Sequence, residues 1–170
     1  MTKQQEYEKL VITFFIKGTL SDFSKILIFF FIFYLMKLQR EFCWSLFFLI
    51  LFRTFSGGIH CKSYLSCLLL SFAILSSEIF LGISFYLPKT ISLFIYILCG
   101  IITCYITPVI STSRPPLTTN VRKKAKLKEA TILIIFFILL MLYPSCRFYN
   151  IGFWSLILHT IQLFIAYTRR

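Results

Sequence analysis

The chain has 170 residues, of which 58% are hydrophobic and only 14% charged, and phenylalanine alone accounts for 21. A water-soluble domain is about half apolar and about a quarter charged, so this composition excludes an ordinary soluble fold. The net charge of +12 does not point to nucleic acid, because the basic residues gather at the ends of apolar runs, as they do in membrane proteins that keep their basic loops in the cytoplasm.

The apolar runs are continuous rather than alternating, which argues against a membrane β-barrel and for helices. The expected fold is therefore all-α: one integral-membrane domain over residues 1–170, polytopic, with about six transmembrane helices and an amphipathic segment at the N-terminus. No cleavable signal peptide is expected, since MTKQQEYEKL is polar and no small-residue cleavage site follows it. The first apolar spans then serve as the targeting signal. The six cysteines read mainly as small buried side chains rather than a disulfide framework.

Residues 1–17 place Leu10, Val11, Phe14 and Phe15 at helical spacing among Lys3, Lys9 and Lys17, a pattern suited to the membrane interface. A first span is expected from about Gly18 to Met36. Its uninterrupted apolar core, Ile26 to Met36, covers 11 residues, short against the roughly 20 a bilayer needs. Asp22 and Lys25 are expected near an end of this span, where lysine can snorkel. Lys37, Arg40 and Glu41 form a polar turn before a second short span, about Phe42 to Phe55. These two segments fit either two spans or a re-entrant hairpin.

A third span is expected from Ser66 to Tyr86 with Glu78 near its middle, and a fourth from Thr90 to Ile110, bent or ended by Pro108. Ser111 to Ala130 reads as a polar loop carrying Arg114, Arg122, Lys123, Lys124, Lys126 and Lys128. A fifth span follows at Thr131–Tyr143, and a sixth at Ile151–Tyr167 contains His159 and Gln162. With the basic loop in the cytoplasm and six spans, the inside holds 13 basic residues and the outside only Lys37, Arg40, Lys89 and Arg147. This bias sets the orientation in the membrane. It also places residues 53–67 at the cytoplasmic face.

That segment, Arg53–Cys67, reads RTFSGGIHCKSYLSC. A lipid-facing helix has no need of an arginine, two glycines, a histidine and two cysteines together. A cysteine nucleophile has to be a thiolate, which a neighbouring histidine or cation favours. His60, with Arg53, Lys62 and the basic loop on the same side, supplies both for either Cys61 or Cys67. Spacing does not choose between them. His60 and Cys67 lie seven apart, about two turns and on the order of 10 Å along one helix, too far for a hydrogen bond. A working pair therefore requires non-helical backbone between them, which Gly57 and Gly58 permit. The alternative is a tight turn before a helix that happens to bury cysteines. A zinc site on His60, Cys61 and Cys67 lacks a fourth ligand, and no metal or other cofactor is expected. Ser56, Ser63 and Ser66 are near, but nothing singles out one of them as a third catalytic group.

RTFSGGIHCKSYLSC resembles the accessory gene regulator protein B family of bacterial membrane peptidases. The matching residues are Arg53, Gly58, His60 and Cys67, just before an apolar span. Pro108, Arg114-Pro115 and Arg122-Lys123-Lys124 are similar to the family's basic loop. Cys61 departs from the pattern, which has a small residue there. The resemblance implies that Cys67 is the nucleophile and His60 its base. It implies a substrate that is a short amphipathic propeptide, cut on its C-terminal side and cyclised to a thiolactone or lactone signal. It also implies a homodimer. Arg53 and the basic residues Arg122, Lys123 and Lys124 are then candidates for binding an acidic peptide tail; a topology anchor and anionic lipid headgroups are the other readings of the same charges.

A competing reading rests on Glu78. An ionisable residue in mid-membrane is a functional candidate, and a Glu78–His159 pair would suit a small proton-coupled transporter or transporter subunit. A satisfied hydrogen bond between helices is the plainer explanation, and a non-catalytic membrane interaction protein is a third class.

Overall fold

The computed structural model describes residues 3–58, 63–109, 119–142 and 146–168, with side chains in the first helix from Ile16 onward, Lys17 excepted. Six helices follow in order: α1 (Lys3–Leu35), α2 (Gln39–Ser56), α3 (Tyr64–Ser84), α4 (Lys89–Ile106), α5 (Thr119–Leu142) and α6 (Arg147–Thr168). Among the described residues, four segments are long and apolar enough to cross a membrane: Gly18–Leu35, Tyr64–Ser84, Lys89–Ile106 and Arg147–Thr168. The expectation of about six such helices is thus met by four. The other two fall short for visible reasons. α2 carries Arg40 and Glu41 at one end and Arg53 at the other, and only the C-terminal half of α5 is apolar.

Two helix boundaries differ from the sequence reading. Residues 3–17 are continuous with the first span rather than a separate segment, because nothing around Gly18 interrupts the helix. Residues 119–130 are not loop but the N-terminal half of α5. After Pro116 the sequence NVRKKAKLKEA has no glycine or proline and is rich in Lys, Ala, Leu and Glu, all good helix formers. Its charge gives it the look of a solvated loop, although charge does not oppose helix formation.

α6 is the central helix and packs against α2, α3 and α4, while α5 lies on α2 and α4, and α1 on α2 and α3. One core joins Phe48 and Phe52 of α2 to Tyr96, Phe136, Phe153 and Leu156. A second joins Phe29 and Phe33 of α1 to Phe42 and Leu49 of α2 and to Leu75 and Ile79 of α3. Outward-facing apolar side chains are abundant on the membrane-crossing helices, Phe31, Leu69, Phe94, Ile101 and Phe164 among them. This is the expected distribution where the surroundings are hydrocarbon rather than water.

The connections are short and hydrogen-bonded. α1 ends where Lys37 adopts φ 59°, with Leu38 N–H donating to Phe33 O at 2.8 Å. Arg40 and Glu41 therefore begin α2 instead of forming the turn. Glu41 is paired with Arg147 at 3.1 Å, which ties the start of α2 to the start of α6. The α3–α4 link is held by α6: Asn150 Nδ2 donates to Gly82 O (2.7 Å) and Phe85 O (3.0 Å). The end of α2 is tied to the chain after α4, where Val109 N–H donates to Ser56 O at 2.8 Å and Gly57 forms a parallel bridge with Val109.

Candidate active site

Arg53 lies in the last turn of α2, where a cation complements the helix C-terminus. The helix stops at Gly57, whose φ of 85° and ψ of −155° close it with an N–H bond to Arg53 O at 3.1 Å. This is a conformation that only glycine adopts without strain. Gly58 follows beneath the arginine: a Cβ there would come within 2.9 Å of Arg53 Nε. The paired glycines thus let the chain leave α2 sharply while the Arg53 side chain lies across it.

The chain re-enters a helix at Ser63, the N-cap of α3, whose Oγ accepts from Ser66 N–H at 3.3 Å. Cys67 sits in the first turn, with its N–H donating to Ser63 O at 3.1 Å. The positive end of the helix dipole favours an anion at that position. His60, Cys61 and Lys62 lie outside the described residues, and with them the expected His60–Cys67 pair and the zinc alternative.

Arg53 and Cys67 share one cavity of about 160 Å³ lined by α1, α2 and α3. Ile26, Phe29, Leu46, Leu49, Ile50 and Leu75 make its apolar walls, and Asp22, Lys25, Arg53, Cys67 and Ser71 supply the polar atoms. Lys25 Nζ is 3.4 Å from Cys67 Sγ and 3.0 Å from Asp22 Oδ1. Lys25 also lies over the Tyr64 ring, 5.4 Å from its centroid, and the Tyr64 hydroxyl shares a hydrogen bond with Ser24 at 2.8 Å. The sequence reading places Lys25 at a span end, reaching outward. Instead it is only 6% exposed and turns toward the sulfur. The signal for this is in the sequence: Asp22 and Lys25 stand three apart within an apolar segment, on one helix face.

The remaining candidates are elsewhere. Arg122, Lys123 and Lys124 are exposed along the first turns of α5 and do not line the cavity. Ser56 is fully buried, donates to Phe52 O, and shares a hydrogen bond with His159 Nε2 at 2.6 Å. Glu78 accepts from Ser45 Oγ at 2.5 Å. Glu78 and His159 thus do not pair: each makes its own contact to a serine of α2, the interhelical hydrogen bond that is the plainer reading of Glu78. Glu129, assigned by sequence to a loop, is fully buried on α5.

The family model of accessory gene regulator B matches residues 1–163. An AgrB-like protein of Clostridium beijerinckii is 32% identical over 168 residues, covering 94% of this chain and 79% of the relative. No solved structure matches the chain significantly. With four apolar helices of membrane-crossing length among the described residues, the match over nearly the whole chain settles its kinship: this membrane protein belongs to the accessory gene regulator B family, whose members are peptidase-like proteins of quorum-sensing autoinducer processing.

Proposed function

We propose that this chain is a membrane cysteine endopeptidase that removes the C-terminal tail of a quorum-sensing propeptide and promotes closure of the remainder to a thiolactone or lactone. The observation that carries this reading is the position of Cys67. It is at a helix N-terminus, inside a largely apolar cavity, with Lys25 and Arg53 on the facing walls. In this reading Cys67 attacks the scissile carbonyl and His60 serves as its base. A C–S bond forms, the C–N bond breaks, and the leaving amine takes a proton from His60. The thioester keeps the carbonyl activated after the tail departs. A thiol or hydroxyl within the peptide then attacks it and Cys67 leaves as thiolate. Apolar walls limit water at the thioester and favour ring closure over hydrolysis.

Arg53 and Gly58 shape the approach to the sulfur, and the exposed Arg122, Lys123 and Lys124 attract an acidic peptide tail or anionic headgroups. The substrate is a short amphipathic propeptide with a Cys or Ser near its middle. The site opens on the cytoplasmic side, α2 and α5 complete six spans, and the working form is a homodimer. Proton-coupled transport loses its main support here, because Glu78 and His159 are each engaged by a serine rather than by one another.

Co-expression with the propeptide encoded beside the gene, followed by mass, tests the proposal. Tail release is expected from the unchanged chain and from Cys61→Ala, and should vanish in Cys67→Ala. Release by Cys67→Ala but not Cys61→Ala would move the nucleophile to Cys61. Normal release by both would end the thiol mechanism.

A further inference from the structure

Lys25 is one of two charged groups in the span Gly18–Leu35, beside Asp22. A lysine near the end of a membrane helix ordinarily extends its stem toward water. Lys25 does not. Its side chain is only 8% exposed, whereas the Asp22 carboxylate that pairs with it is 71% exposed. If Asp22 alone placed the ammonium, the ammonium could follow it outward at no loss of the pair. It lies instead 3.4 Å from Cys67 Sγ, on the wall of the cavity that holds Arg53 on its α2 side. A neutral thiol is only a weak acceptor and offsets little of the cost of burying an ammonium. A thiolate offsets much more, since it supplies a full opposite charge. Among the described residues, the charged and titratable groups around the sulfur are Lys25 and Asp22 from α1, Arg53 from α2 and Tyr64 from α3.

From this arrangement we infer that Lys25 is a catalytic residue whose ammonium pairs with the Cys67 thiolate, with Asp22 holding the ammonium in place. The inference rests on the peptidase reading and adds a division of labour to it. Lys25 keeps its proton throughout and stabilises sulfur as an anion twice: before attack on the propeptide, and again when ring closure expels Cys67 from the thioester. His60 carries the proton that moves. It gives one to the leaving amine and takes one from the peptide thiol or hydroxyl that closes the ring, so the enzyme returns to its starting protonation. His60 takes the thiol's proton when the thiolate forms and holds it for the amine, while Lys25 supplies only charge.

The test needs no peptide, so its failure is distinguishable from failure of the peptidase reading, which the co-expression experiment decides. In the full chain with the other five cysteines replaced by alanine, the rate of Cys67 alkylation by iodoacetamide is measured in membranes across pH. Lys25→Met is expected to slow alkylation about tenfold at neutral pH, where the rate follows the thiolate fraction. It should reach the parent rate in alkaline buffer, where the thiol ionises unaided. Lys25→Arg is expected to restore the neutral-pH rate, and Asp22→Asn to lie between. Two results would overturn the inference. One is Lys25→Met reacting like the parent at every pH. The other is Lys25→Met slow even in alkaline buffer with Lys25→Arg no faster, which would make the lysine a packing element.

Discussion

Gly57 and Gly58 are neighbours with different tasks, and the difference is measurable. At Gly57 the φ of 85° and ψ of −155° belong to a region that costs other residues on the order of 1–3 kcal/mol, and a Cβ would also run into the Val109 carbonyl. Gly57→Ala should therefore lower the thermal unfolding midpoint in detergent and loosen the end of α2. At Gly58 the obstacle is the flexible Arg53 side chain, whose Nε lies 2.9 Å from the point a Cβ would occupy. Gly58→Ala should leave the midpoint close to that of the parent while displacing the guanidinium, and so reduce propeptide cleavage. Equal loss of stability in both variants would show that Arg53 cannot move. Both glycines stand out in the sequence as a break between apolar runs. Which of them answers to backbone conformation and which to a side chain depends on where α2 ends, and that depends in turn on the tie between Ser56 and Val109.

Between helices, the decisive contacts are close approaches and buried polar pairs. α3 and α6 pack so closely at Gly82 that a Cβ would lie 2.9 Å from Ile151 Cα, and small residues at such crossings are how membrane helices gain packing area. Gly82→Val should push α3 from α6 and lower the thermal midpoint clearly. Ser45→Ala, which removes the hydroxyl facing Glu78, should cost about 1–3 kcal/mol because a buried acceptor loses its donor. Chemical denaturation of the purified chain reads both; an unchanged midpoint in either would contradict the packing described for α2, α3 and α6. The apolar runs made α3, α4 and α6 legible to within a few residues, and Gly18–Leu35 likewise. α5 was legible only in its apolar half. The reason is that lysines and arginines are good helix formers that also populate loops, so composition alone does not distinguish the two. The partner of each polar residue was not legible: apolar periodicity locates a face but does not name the helix opposite it.

For the molecule as a whole, the basic cluster of α5 and the cavity are separate, with Arg122, Lys123 and Lys124 exposed on α5 and Cys67 in the cavity between α1, α2 and α3. Replacing those three basic residues with glutamine should therefore reduce cleavage of a propeptide with an acidic tail and leave Cys67 alkylation by iodoacetamide unchanged. A matching drop in alkylation would mean that the basic turns support the site's structure. The amino-acid sequence by itself determined that the chain is helical and built for a bilayer, because too few charges are present to cover so much apolar surface in water. It also determined which segment carries reactive side chains, since Arg, His, Cys and paired Gly have no use in a lipid-facing helix. Only the tertiary structure decided that Lys25, 42 positions before Cys67, reaches its sulfur, and that Glu78 and His159 turn to different serines of α2. Those choices follow from how three helices cross one another, and a crossing is fixed by the packing of all their side chains together rather than by any local stretch of sequence.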